Sequence, residues 1–183
     1  MNCEAPSQGN ILLIGFMGCG KSTVGRELQQ RIGCPLVDMD HAIEQQAGKS
    51  VSRIFEQEGE TAFRDYETKL LRNLAAHPGT RRVISTGGGV IGREENRRLL
   101  RELGFVVWLD APVEDIIERT SRNAERPLLA TEDPAARIRA LMEIRRPLYE
   151  ETAHLRINTR GLDFRELTCG ILDSASYFFS QHA

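Results

Sequence analysis

The residues best equipped for chemistry begin at Gly15-Phe16-Met17-Gly18-Cys19-Gly20-Lys21-Ser22-Thr23, which fits the phosphate-loop pattern G-x-x-x-x-G-K-[ST]. Glycines in such a loop let backbone N–H groups turn inward around phosphate oxygens. The start of a following helix adds partial positive charge. In this pattern Lys21 reaches the β- and γ-phosphates and the Ser22 hydroxyl binds Mg2+, so the stretch points to a nucleoside triphosphate. Asp38-Met39-Asp40 sets two carboxylates two residues apart. On an extended strand alternate residues point the same way, so one carboxylate can hold Mg2+ or its water while the other accepts a proton from a hydroxyl. The competing reading is a helix N-cap followed by a first-turn acid.

Arginines supply the complementary charge. Arg64, in Phe63-Arg64-Asp65-Tyr66-Glu67, can offer a bidentate fork to an anionic substrate, or pair with Glu60 one helical turn before it. Arg145 and Arg146 precede Pro147. They read either as cations complementing a helix C-terminus or as a second guanidinium for the same anion. Arg126, in the polar stretch from Ser121 to Asp133, can close over a phosphoryl group in transfer, or be an ordinary exposed side chain. Thr86-Gly87-Gly88-Gly89 brings backbone close to a ligand or makes a tight turn. Cys19 places a thiol at a helix N-terminus, where thiols are activated. That position predicts inactivation by alkylation and protection by ATP.

The elements that must position these groups are legible as alternating apolar runs and amphipathic stretches. Strands are expected at Asn10–Gly15, Leu36-Val37, Val83–Ser85, Phe105–Leu109 and Leu155–Asn158. Helices are expected over Gly20–Arg31, His41–Ala47, from Ser50, from Gly59 to His77, over Arg93–Leu103, from Pro112 to Thr120, from Pro134 to Ile144, and over Asp163–Phe179. Strand–helix alternation predicts an α/β protein with a parallel sheet covered on both faces. Ligands bind such sheets beyond the carboxyl ends of the strands, where the phosphate loop, Asp38/Asp40 and Gly87–Gly89 converge.

The chain has 183 residues and a net charge of −2. That suits a single domain and leaves no basic footprint for nucleic acid or anionic membrane. Its apolar runs are too short to span a bilayer, and its start lacks a signal-peptide pattern. Cys3, Cys19, Cys34 and Cys169 lack metal-binding spacing and suggest neither a zinc site nor a disulfide framework, so a cytoplasmic location is expected. Residues 1–9 are expected to be a disordered lead-in, about 121–133 a mobile lid, and about 40–75 a set of substrate-binding helices.

The phosphate loop, Asp38-x-Asp40, Phe63-Arg64-x-x-Glu67, Gly87-Gly88-Gly89, Arg126-Pro127-Leu128 and Arg145-x-Pro147-Leu148-Tyr149 occur in an order and spacing that resembles the shikimate kinases, from about Ile11 to Asn158. The resemblance implies a three-layer α/β/α P-loop kinase with a five-stranded parallel sheet in order 2-3-1-4-5. It implies transfer of phosphate from ATP to the 3-hydroxyl of shikimate on the route to chorismate and the aromatic amino acids. Gly18, Cys19, Gly20, Lys21, Ser22, Thr23 and Arg126 would bind ATP, with Arg160 on the adenine side. Ser22 would ligate Mg2+, and Asp38 would act on it through water. Asp40, Arg64, Gly88 and Arg145 would bind shikimate, and Asp40, Lys21 and Arg126 would be catalytic. ATP and shikimate would be the only partners of a monomer. The alternatives are another hydroxy-acid kinase on the same scaffold, such as a gluconate kinase, and a non-catalytic ATP-binding regulatory domain.

Overall fold

Ile11, Leu12, Leu13 and Ile14 are fully buried in strand β1 (Asn10–Ile14). Burial on both faces is what the centre of a parallel sheet demands. The structure, a computed structural model, describes residues 9–79, 81–121, 127–129 and 131–182. The other strands are β2 (Leu36–Asp38), β3 (Val83–Ser85), β4 (Gly104–Asp110) and β5 (Leu155–Asn158). They pair in parallel in the order β2-β3-β1-β4-β5, with Ile11 opposite Val83 on one side and Phe105 on the other. This is the sheet expected from the resemblance.

The helices are α1 (Lys21–Ile32), α2 (Met39–Ala47), α3 (Val51–Gln57), α4 (Gly59–Ala76), α5 (Glu94–Leu103), α6 (Val113–Ser121), α7 (Pro134–Thr152) and α8 (Phe164–Gln181). Alternation along the central strands divides the core between two layers. Ile11, Leu13, Phe105, Val107 and Leu109 pack with Val24 and Leu28 of α1 and Leu167 and Ile171 of α8. Leu12, Ile14, Val106 and Trp108 pack with Leu71 of α4, Leu99 and Leu100 of α5 and Tyr149 of α7. A third cluster, Ile43, Ile54 and Phe63, ties α2, α3 and α4 together.

Two elements depart from the sequence reading. Helix α2 begins at Met39, so Asp40 sits in a helical first turn and not on an extended strand end. Helix α7 continues through Pro147 to Thr152. A proline inside a helix removes one backbone hydrogen bond and crowds the preceding turn, which is why a stop was expected there. Tertiary contacts override it. Tyr149 is fully buried and stacked on Trp108 with ring centroids 5.7 Å apart, and Thr152 is fully buried with its hydroxyl donating to the Leu148 carbonyl at 2.6 Å.

Cys19 and Cys34 are free and buried, whereas Cys169 is disulfide-bonded. One bonded cysteine among the described residues is not a disulfide framework, and a pairing made by proximity in three dimensions leaves no spacing signature. Among the described residues, no helix is long and apolar enough to cross a membrane. Arg126, residues 1–8 of the expected lead-in and part of the expected lid lie outside the described residues.

Candidate active site

The phosphate loop joins the end of β1 to α1. Gly18 and Gly20 have φ of 80° and 101°, left-handed values that side-chain-bearing residues seldom adopt. Gly20 is the N-cap of α1 and no side chain caps the helix, so the amides of its first turn are left for an oxyanion. The Lys21 ammonium curls back into the loop. It donates to the carbonyls of Gly15 at 2.7 Å and Phe16 at 2.9 Å, and lies 3.7 Å from the Cys19 sulfur.

That sulfur corrects one expectation. Cys19 is 2% exposed and packs within the core, with Gly15 so close that a Cβ there would lie 2.8 Å from the sulfur. The thiol faces inward and is not offered to an alkylating reagent. Cys19 serves the loop through its backbone, whose N–H donates to the Phe16 carbonyl at 3.3 Å.

Asp38 takes the helix N-cap position that its spacing allowed, and it also faces the phosphate loop. Its Oδ1 caps α2, accepting from the backbone N–H groups of Asp40 at 3.2 Å and His41 at 3.4 Å. Its Oδ2 accepts from the Ser22 hydroxyl at 3.2 Å. The cap therefore fixes the carboxylate against the first turn of α1. Among the described residues, no group of three His, Cys, Asp or Glu side chains is placed to hold a metal ion. The Ser22–Asp38 oxygen pair instead fits Mg2+ that arrives with phosphate oxygens and water, since that ion needs only one or two protein carboxylates.

Asp40 points elsewhere. Its Oδ1 is buried and has no hydrogen-bond partner among the described residues. Burial and the neighbouring Asp38 charge raise its pKa, against the opposing pull of Lys21 and Arg64. Glu67, on α4, is fully buried, and its Oε1 is likewise without a partner. Burial pushes its carboxyl up to about 7, with Arg64 opposing and Asp40 adding to the rise. Both orphan oxygens crowd Gly87, where a Cβ would lie 2.6 Å from Glu67 Oε1 and 3.0 Å from Asp40 Oδ1.

The three consecutive glycines each face something different. A Cβ on Gly88 would meet the phosphate-loop backbone, 3.0 Å from the Met17 nitrogen and 3.4 Å from the Gly15 oxygen. A Cβ on Gly89 would strike the Arg64 guanidinium at 2.3 Å. Close approach, more than turn geometry, is what excludes side chains here. The turn is held from behind by Asn96, fully buried on α5, whose amide donates to the Val90 carbonyl at 2.9 Å.

Arg64 and Arg145 come together beside this turn. Arg64 Nη1 donates to Glu67 Oε2 at 2.8 Å, and its Nε and Nη2 both donate to Glu60 Oε1, at 3.2 and 2.7 Å. Burial works against the Arg64 charge, but the two carboxylates more than offset it and its pKa is raised. Arg145 is 8% exposed and donates from Nη1 to the Gly88 carbonyl at 3.3 Å, with its guanidinium 5.5 Å from the Phe16 ring centre. Among the described residues it has no carboxylate partner within ion-pair distance. Burial, and then the nearby Arg64 charge, lower its pKa. Arg145 lies seven residues before the end of α7, too far for a helix-end dipole role. Arg146 instead pairs with Asp110 at 3.3 Å.

Several contributors were missed by the sequence reading. Tyr149 donates its hydroxyl to the same Gly88 carbonyl as Arg145. It lies one turn beyond Arg145, a relation hidden by ending the helix before Pro147. Glu67 lies three residues after Arg64, a helical spacing that signals a pair. Arg119 on α6 donates to the Gly18 carbonyl at 3.3 Å, and nothing in its local sequence marks it. Arg160 is largely exposed and 3.7 Å from Asp115, which also lies 3.8 Å from Arg119. Thr23 is exposed, its backbone N–H donating to the Gly20 carbonyl at 3.1 Å.

A phosphate loop with a carboxylate facing its serine, a buried second carboxylate and two neighbouring arginines fit the class of P-loop phosphotransferases. The chain belongs to the shikimate kinase family, whose model matches residues 17–175. It is 45% identical over 166 residues to the shikimate kinase of Symbiobacterium thermophilum, covering 90% of this chain and 94% of that one. Its fold is similar to that of the shikimate kinase from Acinetobacter baumannii in complex with shikimate, with a TM-score of 0.87, 42% identity, and coverage of 96% and 95%. A gluconokinase from Sinorhizobium meliloti also shares the fold, at a TM-score of 0.57 with coverage of 97% and 99%, but only 14% of its sequence.

Proposed function

We infer that the chain transfers the γ-phosphoryl group of ATP to the 3-hydroxyl of shikimate, giving ADP and 3-phosphoshikimate for chorismate and aromatic amino acid synthesis. One observation carries the acceptor assignment: Arg145 is a buried guanidinium with no carboxylate partner among the described residues, set beside Arg64. A buried unpaired charge is costly, and an incoming carboxylate relieves it. In this reading Arg64 and Arg145 hold the acid end of the ring, and Gly88 contributes backbone contact. Asp40 Oδ1 takes the hydroxyl that will be phosphorylated. Its raised pKa suits a group that accepts a proton as the bond to phosphorus forms.

The protein's remaining contribution is positioning and charge. The first-turn amides of α1 and the loop residues Gly18 to Thr23 cradle the phosphates. Lys21 exchanges its loop carbonyls for phosphoryl oxygens. Ser22 would hold Mg2+, with Asp38 acting on it through water, and the ion would supply neutralising charge to the phosphates. Arg126 keeps the lid role that the resemblance implies, and Arg160 the adenine-side role. We read the chain as a single cytoplasmic kinase domain acting as a monomer, with acceptor helices over about 40–75.

The test is a panel of shikimate, quinate and gluconate assayed by coupled ADP release. ADP release with shikimate, at a kcat/KM at least about 100-fold above gluconate, is expected where a site built for a given set of hydroxyls rejects analogues that leave its polar groups unpaired. Preference for gluconate would move the chain to the rival hydroxy-acid kinase. Binding of ATP with no turnover on any acceptor would favour a regulatory ATP-binding role.

A further inference from the structure

Glu60 occupies one edge of the Arg64 guanidinium. The Arg64 guanidinium has two edges and two faces to offer. Its Nη1 edge is held by Glu67, which is fully buried. Its faces are covered by the Gly89 backbone and the Phe63 ring, the latter with its centre 5.4 Å away. The remaining edge, Nε with Nη2, is the fork that grips a carboxylate bidentately. Glu60 Oε1 already accepts from both nitrogens. The Glu60 charge also favours the charged form of Arg145. One carboxylate thus bears on the same two cations that the acceptor's carboxylate needs.

Resting on the acceptor assignment above, we propose that Glu60 is a tethered competitor: its carboxylate occupies the Arg64 fork, and the acceptor's carboxylate binds by displacing it. Burial decides which of the two glutamates yields. The Glu67 side chain is 0% exposed and cannot leave without stranding its charge, whereas that of Glu60 is 49% exposed and swings into water. The Glu60 end of this i,i+4 pair is solvated, so its carboxylate can leave and return while Arg64 stays held by Glu67. Its effect is to set acceptor affinity below the level that the two arginines alone would give. It also keeps the fork paired, so that only an anion able to outcompete a carboxylate held on the chain gains entry.

The competing account is that Glu60 only orients Arg64 or complements the start of α4. Calorimetric titration of shikimate into wild type and Glu60→Gln separates the two. Displacement predicts a dissociation constant about two- to fivefold lower in the variant, the range of an ion pair exposed at one end. Shikimate methyl ester, which lacks the charge, should bind wild type and variant equally. An unchanged or raised dissociation constant in Glu60→Gln would overturn the proposal, as would an equal gain for the ester. A wild-type protein that does not bind shikimate overturns the acceptor assignment itself, whereas binding by wild type without tightening in Glu60→Gln overturns the competitor alone. The Glu60→Ala variant repeats the comparison with the side chain removed and should tighten in the same direction.

Discussion

Asp40 and Asp38 show how one helix start divides labour between two carboxylates of the same type. Asp38 spends Oδ1 on capping and aims Oδ2 at Ser22, whereas Asp40 Oδ1 is buried with nothing to accept from among the described residues. An acceptor without a donor in a buried place costs stability, and an arriving hydroxyl repays that cost. Asp40→Asn keeps the size of the side chain and removes its basicity. It is expected to lower kcat by about 10²- to 10⁴-fold, the range of general-base contributions, while KM for ATP changes little. Steady-state kinetics at saturating shikimate measures this, and turnover near the wild-type level would remove Asp40 from proton transfer. Of the two readings of Asp38-Met39-Asp40 raised by spacing, the structure shows the helix cap, and the cap leaves the other Asp38 oxygen facing Ser22. The cap is what delivers the carboxylate to the loop, a relation that no one-dimensional pattern separates.

At the scale of elements, the turn after β3 is where three parts of the site touch. Gly88 abuts the phosphate loop and Gly89 abuts Arg64, so equal additions of one methyl group should have unequal consequences. In Gly89→Ala the struck atoms are the mobile end of a long side chain. The guanidinium moves, and KM for shikimate is expected to rise about 10- to 100-fold, as misplacement of a binding group by an ångström does, with ATP binding retained. In Gly88→Ala the opposing atoms are backbone and cannot swing away. Overpacking there is expected to cost about 1–3 kcal/mol and to weaken ATP binding as well. Thermal melts with ADP titrations on both variants check the contrast, and identical profiles would refute it. The triple glycine announced close approach in the sequence, but not to what. Helix α7 was less legible: Pro147 read as a stop, and only the buried ring of Tyr149 carries the helix past it. Strands β1 and β4 were fully legible, because a run of apolar residues in a parallel sheet admits few other placements.

For the molecule as a whole, the two ends of the sheet have different duties. The carboxyl ends lead into the phosphate loop, Asp38–Asp40 and Gly87–Gly89, and the amino ends carry packing that holds the strands in register. His154, just before β5, belongs to the second set. Its backbone N–H donates to the Val106 carbonyl at 2.8 Å, and its ring Nδ1 accepts from the Val106 N–H at 3.0 Å, so the side chain extends the ladder beside β4. The ring packs with Phe105 and Phe178, the Phe178 centroid 4.7 Å away, and His182 in turn stacks on Phe178. Burial, then the charges of Arg101 and His182, hold its pKa down at about 4. An unfolded histidine titrates near 6.5, so between about pH 6.5 and 4 the unfolded chain binds more protons than the folded one. The His154 contribution is therefore fully present above about pH 6.5 and is lost as pH falls towards 4. Protonation of Nδ1 also removes the acceptor that Val106 requires. After solvent screening of a partly buried ring, the loss is expected to be about 1–2 kcal/mol. Carboxylates titrate over part of the same range, so the measurement is a difference. Urea unfolding of wild type and His154→Gln at pH 7.5 and pH 4.5 should give a gap between the two proteins that narrows at the lower pH. A gap of the same size at both values would show that His154 titrates as an ordinary exposed histidine and that the register of β4 and β5 does not depend on its protonation.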